Sequence, residues 1–308
     1  MIPHADDEFH PPTSDDPFWT ETCWFTFHIP ERKISGQLYP YFSKNLGTCA
    51  AGAFVWDDHG SHPYTALYAK MFWHLPMPDE PLSDIHVPNG ISYKLLEPLK
   101  KWQVNFDDPD GDDLTVRLTF TALTPPNYLS GSHIDQAGHV QGTITLYGEE
   151  IPVDSYGFRD RSWSVRSQFG ESFRHMGYTY GAANDDNCFH LIDQDEKSFV
   201  TGHHLQDGVW SKLVTATRTV HERNPENGFP MSLTIDGTDE LGRKLHVDGT
   251  ALNGCAVQLN PNLLSIDCLM DYTFGNGLKG HGADHDDWNV HIARRFFRGF
   301  LGYDKPSP

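Results

Sequence analysis

The chain has 308 residues, long enough for two domains of about 150 residues or for one large all-β domain, and either buries a sizeable core. Its 42 acidic and 23 basic side chains give a formal charge of -19, which argues against a nucleic-acid partner, because phosphate binding needs a basic footprint. There is no run of roughly 18 apolar residues, and MIPHADDEFHPPTSDDPFW is acidic and proline-rich where a secretory signal is basic and then apolar, so neither a membrane span nor export is expected.

Residues 1–17 carry Pro3, Pro11, Pro12 and Pro17 among acidic side chains, a composition that predicts an extended arm. From Phe18 onward the dominant period is two. In CWFTFHI, Cys23, Phe25, Phe27 and Ile29 share one face while Trp24, Thr26 and His28 share the other. LTVRLTF repeats the pattern with Leu114, Val116, Leu118 and Phe120 inward, and the turn cluster DDPDGDD before it predicts a hairpin. Apolar density breaks at TPPNYLSGSHIDQAGHV, residues 124–140, and this places a first barrel at 18–135 and a second at 136–308. GTITLYG, KLVTATRTV, MSLTID, KLHVDGTAL and LLSIDCLM continue the strand period, each bounded by turn residues. Only residues 289–301 read as helix, with Ile292, Phe296, Phe297, Phe300 and Leu301 at spacings of three and four. The expected class is all-β, with antiparallel sheets closed or stacked into barrels and a short C-terminal helix.

The densest chemistry lies in DSYGFRDRSWSVR, residues 154–166, where Asp160 sits among Arg159, Arg161 and Arg166 and precedes Trp163. A carboxylate in a basic, aromatic stretch has its protonation state set by its neighbours. Two readings stand side by side: an ion-pair anchor between strands, or a general acid or base with Trp163 as a pocket wall. Gly157 lets the backbone bend or approach another chain closely just before the cluster. In FRHMGYTYG, Met176, Tyr178 and Tyr180 fall on one face and His175 on the other, and these aromatics serve either as core or as cavity lining. HGADHDD, residues 281–287, offers His281, His285, Asp286 and Asp287 as metal ligands, or forms a loop in which Asp286 or Asp287 caps the helix. The second reading is preferred, and no metal is assigned. His203 and His204 are adjacent on a strand, so they face opposite ways. Cys23, Cys49, Cys188, Cys255 and Cys268 contain no CxxC pair and read as free thiols in a reduced cytoplasmic protein. Nucleotide-loop, serine-elbow and HExxH motifs are missing from the chain.

DSYGFRDRSWSVR, preceded by HIDQAGHVQGTITLYGEEIPV, resembles the central motif of the lipocalin-like superfamily that includes carotenoid 1,2-hydratase (hydroxyneurosporene synthase) and the AttH-like proteins. DDPFWTETCWFTFHIPERKISGQLYPY is similar to the start of the first barrel in a bacterial branch of that group. The resemblance implies two consecutive lipocalin-like β-barrels, a hydrophobic pocket within or between them, and chemistry without a redox cofactor. The family's Asp and Trp match Asp160 and Trp163, whereas Ser162 stands where AttH-like relatives commonly carry Glu. Asp135 or Asp154 is then the candidate for a second acid.

The resulting expectation is a cofactor-independent hydratase, dehydratase or isomerase working on a small terpenoid or steroid-like substrate. Asp160 is the expected acid, and His175 or Asp135 handles the second proton. Trp163, Met176, Tyr178 and Tyr180 form the substrate wall, beside Arg166. If Arg166 pairs with Asp160, the latter is a better base or anchor than acid. A lipid or pigment carrier and a polyene-shaping cyclase are the alternatives.

Overall fold

The computed structural model describes residues 2–167 and 173–303. Among them are twenty strands and one α-helix, divided between two compact units. The first unit runs through Asp57 and from Pro63 to Arg166. It holds β1 (Trp19–Ile29), β2 (Ile34–Ser43), β3 (Thr48–Trp56), β4 (Tyr68–Pro76), β5 (Asp84–His86), β6 (Ile91–Glu97), β7 (Lys101–Asp107), β8 (Leu114–Ala122), β9 (Asn127–Leu129), β10 (His133–Leu146) and β11 (Glu149–Val165). These form one antiparallel sheet in the order β4-β3-β2-β1-β11-β10-β8-β7-β6-β5, with β9 on β10.

The second unit contains residues 58–62 and the chain from Ser167 onward. Its strands are β12 (His175–Asn184), β13 (Asn187–Gln194), β14 (Ser198–Gln206), β15 (Val209–Arg223), β16 (Pro230–Asp239), β17 (Lys244–Ala251), β18 (Cys255–Asn260), β19 (Leu263–Phe274) and β20 (Lys279–Asn289), followed by α1 (Val290–Phe300). Pairing of β17 with β19 closes this sheet into a barrel, and β18 stays outside the ring on β19. The fold is thus all-β with two lipocalin-like sheets, the second a closed barrel and the first a curled sheet ending at β4 and β5.

The period-two segments form the strands they predict. Cys23, Phe25, Phe27 and Ile29 enter the first core with Leu114, Val116, Leu118 and Phe120, and the hairpin of β7 and β8 brackets the acidic turn. All five cysteines are buried free thiols. Gly157 meets the close approach expected of it, since a Cβ there would stand 2.1 Å from the Thr26 carbonyl oxygen on β1.

Three expectations need correction. The first unit extends to Arg166 instead of ending at residue 135, because β10 pairs with β8 and β11 pairs with β1. The Gly and Pro signals at 124–140 mark the short β9 and its turn into β10, a break inside a sheet. The N-terminal stretch is not a free arm: Ala5–Asp7 is a 3-10 turn, and Asp7 is fully buried. Its carboxylate accepts from Arg159 at 2.9 Å and from the Leu99 amide at 2.7 Å. Finally, 281–287 is part of β20 and not a loop, and Asn289 caps α1 by accepting from the His291 amide.

Asp7 and Arg159 are both wholly removed from solvent, so deleting one partner strands a charge in a dry core. Asp7→Ala is expected to lower stability by about 3–5 kcal/mol in urea denaturation, against about 0.5 kcal/mol or less for a change at an exposed acid such as Asp112.

Candidate functional site

Strand alternation divides the charged motif between two faces of β11. Arg159, Arg161 and Trp163 point one way, Asp160 and Ser162 the other. On the first face Arg161 donates to Glu21 at 2.6 Å, and Trp163 stacks on His10 with ring centroids 3.9 Å apart. Trp163 packs with Trp19 and Ile134, so it is no wall for Asp160. Arg159 and Arg161 likewise spend their charge on Asp7 and Glu21.

On the second face four neighbouring strands build a polar grid. Asp135 on β10 lies directly opposite Asp160 on β11, and His133 lies opposite Ser162. Across β11 the next strand places Trp24 opposite Asp160 and Thr22 opposite Ser162, and Tyr41 on β2 lies opposite Thr22. Trp24 and Tyr39 are 5.9 Å apart between ring centroids, and Tyr39 and Tyr41 are 4.3 Å apart. His133 Nε2 is 2.8 Å from Asp135 Oδ1 and 2.9 Å from Asp160 Oδ2. The Thr22 hydroxyl shares a 2.7 Å hydrogen bond with Ser162, which also accepts from Arg166.

This grid sets the protonation of its members. Burial by itself would raise the Asp160 carboxyl, but His133, then Arg166 and Thr22, outweigh it and hold the group below its ordinary value. Burial works against a charged His133, yet Asp135 and Asp160 together lift its pKa to about 10. Burial and then the Asp160 charge push the Tyr39 phenol up to about 12. At neutral pH the cluster therefore sets the Asp160 carboxylate against the His133 imidazolium, flanked by neutral phenols and the Arg166 guanidinium. His133, Asp135 and Asp160 also present three potential metal-ligand atoms within 4.8 Å of one another.

The chain matches the family described as "Domain of unknown function (DUF7064)" over residues 3–290. It belongs to that family. No curated protein matches it. Among solved structures it is similar to an AttH protein from Nitrosomonas europaea (14% identity, 90% of this chain and 94% of that one, TM-score 0.55). It is also similar to CghA (12%, 92% and 93%, 0.60) and to kievitone hydratase from Nectria haematococca (9%, 89% and 90%, 0.56). At these identities the likeness establishes the fold, which is that of the two-barrel lipocalin-like proteins.

The sequence-predicted site residues of this DUF7064 protein separate by face. Asp135, Asp160 and Arg166 are brought together in the first unit. In the second, His175 faces the barrel's core, 2.7 Å from Asp286 Oδ1 and stacked on Trp288. Arg218 fills the same interior, donating to Asp284 at 2.6 and 2.7 Å. Tyr178 and Tyr180 share the outward face of β12, near His285, and Met176 is part-buried beside Asp287. The space among Phe25, Phe27, Leu38, Phe120 and Val140 is about 10 Å³, room for one water at most. A larger cavity of about 240 Å³ in the second unit is lined by polar and apolar groups together, among them His204, Lys244, His246, Leu205, Leu245 and Phe274.

His133, Tyr39, Tyr41 and Thr22 were not singled out in the sequence. His133 was legible in principle, two positions before Asp135 on one strand, had SHIDQAGHV read as strand rather than linker.

The His133 pKa is raised from 6.5 in the unfolded chain, so its proton stabilises the fold fully below pH 6.5, and that contribution is lost as pH rises to about 10. Asp160 is lowered, so its contribution is present above pH 3.8 and lost in acid. Urea midpoints are expected to fall between pH 6.5 and 10 more steeply for the native chain than for His133→Gln.

Proposed function

We propose that this protein is a lyase or isomerase, a hydratase or dehydratase in the first instance, acting by acid-base chemistry on a hydrophobic terpenoid or steroid-like molecule without a redox cofactor. The observation that carries the reading is the His133 imidazolium held between the buried carboxylates of Asp135 and Asp160, on one face with Tyr39, Tyr41 and Trp24. That pattern separates an acid from a base within one cluster. The shared fold with kievitone hydratase agrees with it.

In the dehydration direction, Asp160 takes a proton from carbon. The C=C bond forms as the C–O bond breaks, and the departing hydroxyl leaves as water with a proton from the His133 imidazolium. The 2.9 Å contact between Asp160 and His133 then returns the proton and restores both groups. Hydration is the reverse sequence. This revises the role of Asp160: the charges around it make it the base, and His133 the acid. Tyr39 and Tyr41, neutral at working pH, supply donors for a substrate oxygen, and Trp24 supplies an aromatic wall. The five buried free thiols suit a reducing cytoplasm.

A panel of terpenoid and steroidal alcohols and alkenes, assayed by mass spectrometry in ¹⁸O-labelled water, tests the reading. Asp160→Asn and His133→Gln are each expected to cut turnover by about 10²–10⁴-fold. Trp163→Phe, on the opposite face, is expected to leave turnover within about twofold. Undiminished turnover in Asp160→Asn sinks the mechanism.

A further inference from the structure

The second barrel carries a cluster that the proposed chemistry does not use. Strands β19 and β20 set Asp267 directly opposite His285, and Ser265 directly opposite Asp287. In the first sheet, Asp135 opposite Asp160 and His133 opposite Ser162 present the same four side-chain types on two paired strands. The two quartets differ in what surrounds them. Asp160 has Arg166 and Thr22 beside it, whereas the groups acting on Asp287 are His285, Asp267, Ser265 and Asp286, of which only the imidazole can be cationic.

Asp267, His285 and Asp287 are all buried, and each offers a ligand atom within 4.8 Å of the other two. His285 Nδ1 lies 2.6 Å from Asp267 Oδ1, and the Ser265 hydroxyl donates to that same oxygen. Asp287 is 8% exposed, and its Oδ1 has no hydrogen-bond partner among the described residues. A buried carboxylate oxygen without a donor is costly until a proton or a cation caps it. Strand alternation turns Asp286 away, to Arg218 and Arg223 on the other face, so it does not join the set.

We infer that Asp267, His285 and Asp287 form a binding site for a divalent first-row transition metal ion, zinc or manganese. One imidazole nitrogen and two carboxylates suit such an ion better than calcium or magnesium, which take mainly oxygen ligands in larger number. A closely spaced, buried set of three ligand atoms fits a bare ion. On binding, the cation takes the place of the proton between His285 and Asp267, and that proton is released to solvent. HGADHDD therefore supplies two ligands, His285 and Asp287, and the third comes from the neighbouring strand.

Full-length protein stripped with a chelator and titrated calorimetrically with zinc chloride or manganese chloride tests the site. The expected result is one equivalent bound and a raised melting temperature. Asp287→Asn is expected to weaken binding by about tenfold or more, with Asp160→Asn unchanged. His285→Gln serves as a second variant, and each is checked for a native circular-dichroism spectrum. Failure of the native chain to bind either ion, or native affinity in both Asp287→Asn and His285→Gln, overturns the assignment. Neither outcome bears on the proton transfer at Asp160.

Discussion

In both units, strands are buried on both faces over long stretches, so a charge placed on a strand lies in a dry medium whichever way it points. β1 and β2 show this most plainly, with near-continuous burial along each, and β11 does so from Gly157 to Trp163. A charge in that setting persists only with its counter-charge held in place, whether on an adjacent strand or on a segment packed across the face. β11 satisfies the rule twice. Its Arg159 and Arg161 meet Asp7 and Glu21 on one face, while Asp160 meets His133 on the other.

The same constraint lines one face of the first sheet with paired, buried polar groups. Backbone register fixes Asp135, Asp160, Ser162 and His133 relative to one another, and sites built on strands hold geometry better than sites built on loops. Because Asp160 is kept ionised and His133 protonated, two groups less than 3 Å apart occupy opposite acid-base states at one pH.

The second barrel applies the rule with different partners. Its interior is polar where Arg218, Asp284, Asp286 and His175 interlock, and this network takes His175 into the barrel's support. Its outward face places Tyr178 and Tyr180 beside His285. The two quartets of Asp, Asp, His and Ser share one strand-pair pattern but differ in their neighbours, Arg166 and Thr22 at Asp160, and Asp286 at Asp287.

What the sequence determined by itself is whatever local periodicity encodes. Alternation in CWFTFHI and LTVRLTF marked the strands and one core face, the three- and four-residue spacing near the C-terminus marked α1, and the dense charge around Asp160 lies on β11. What only the tertiary structure decided was the partner of each charge: His133 and Arg166 for Asp160, Asp7 for Arg159, Asp286 for His175, and the limit of the first unit at Arg166. These follow from cross-strand register and from burial of the second face. Both depend on which distant segment lies alongside, and no window of neighbouring residues carries that information.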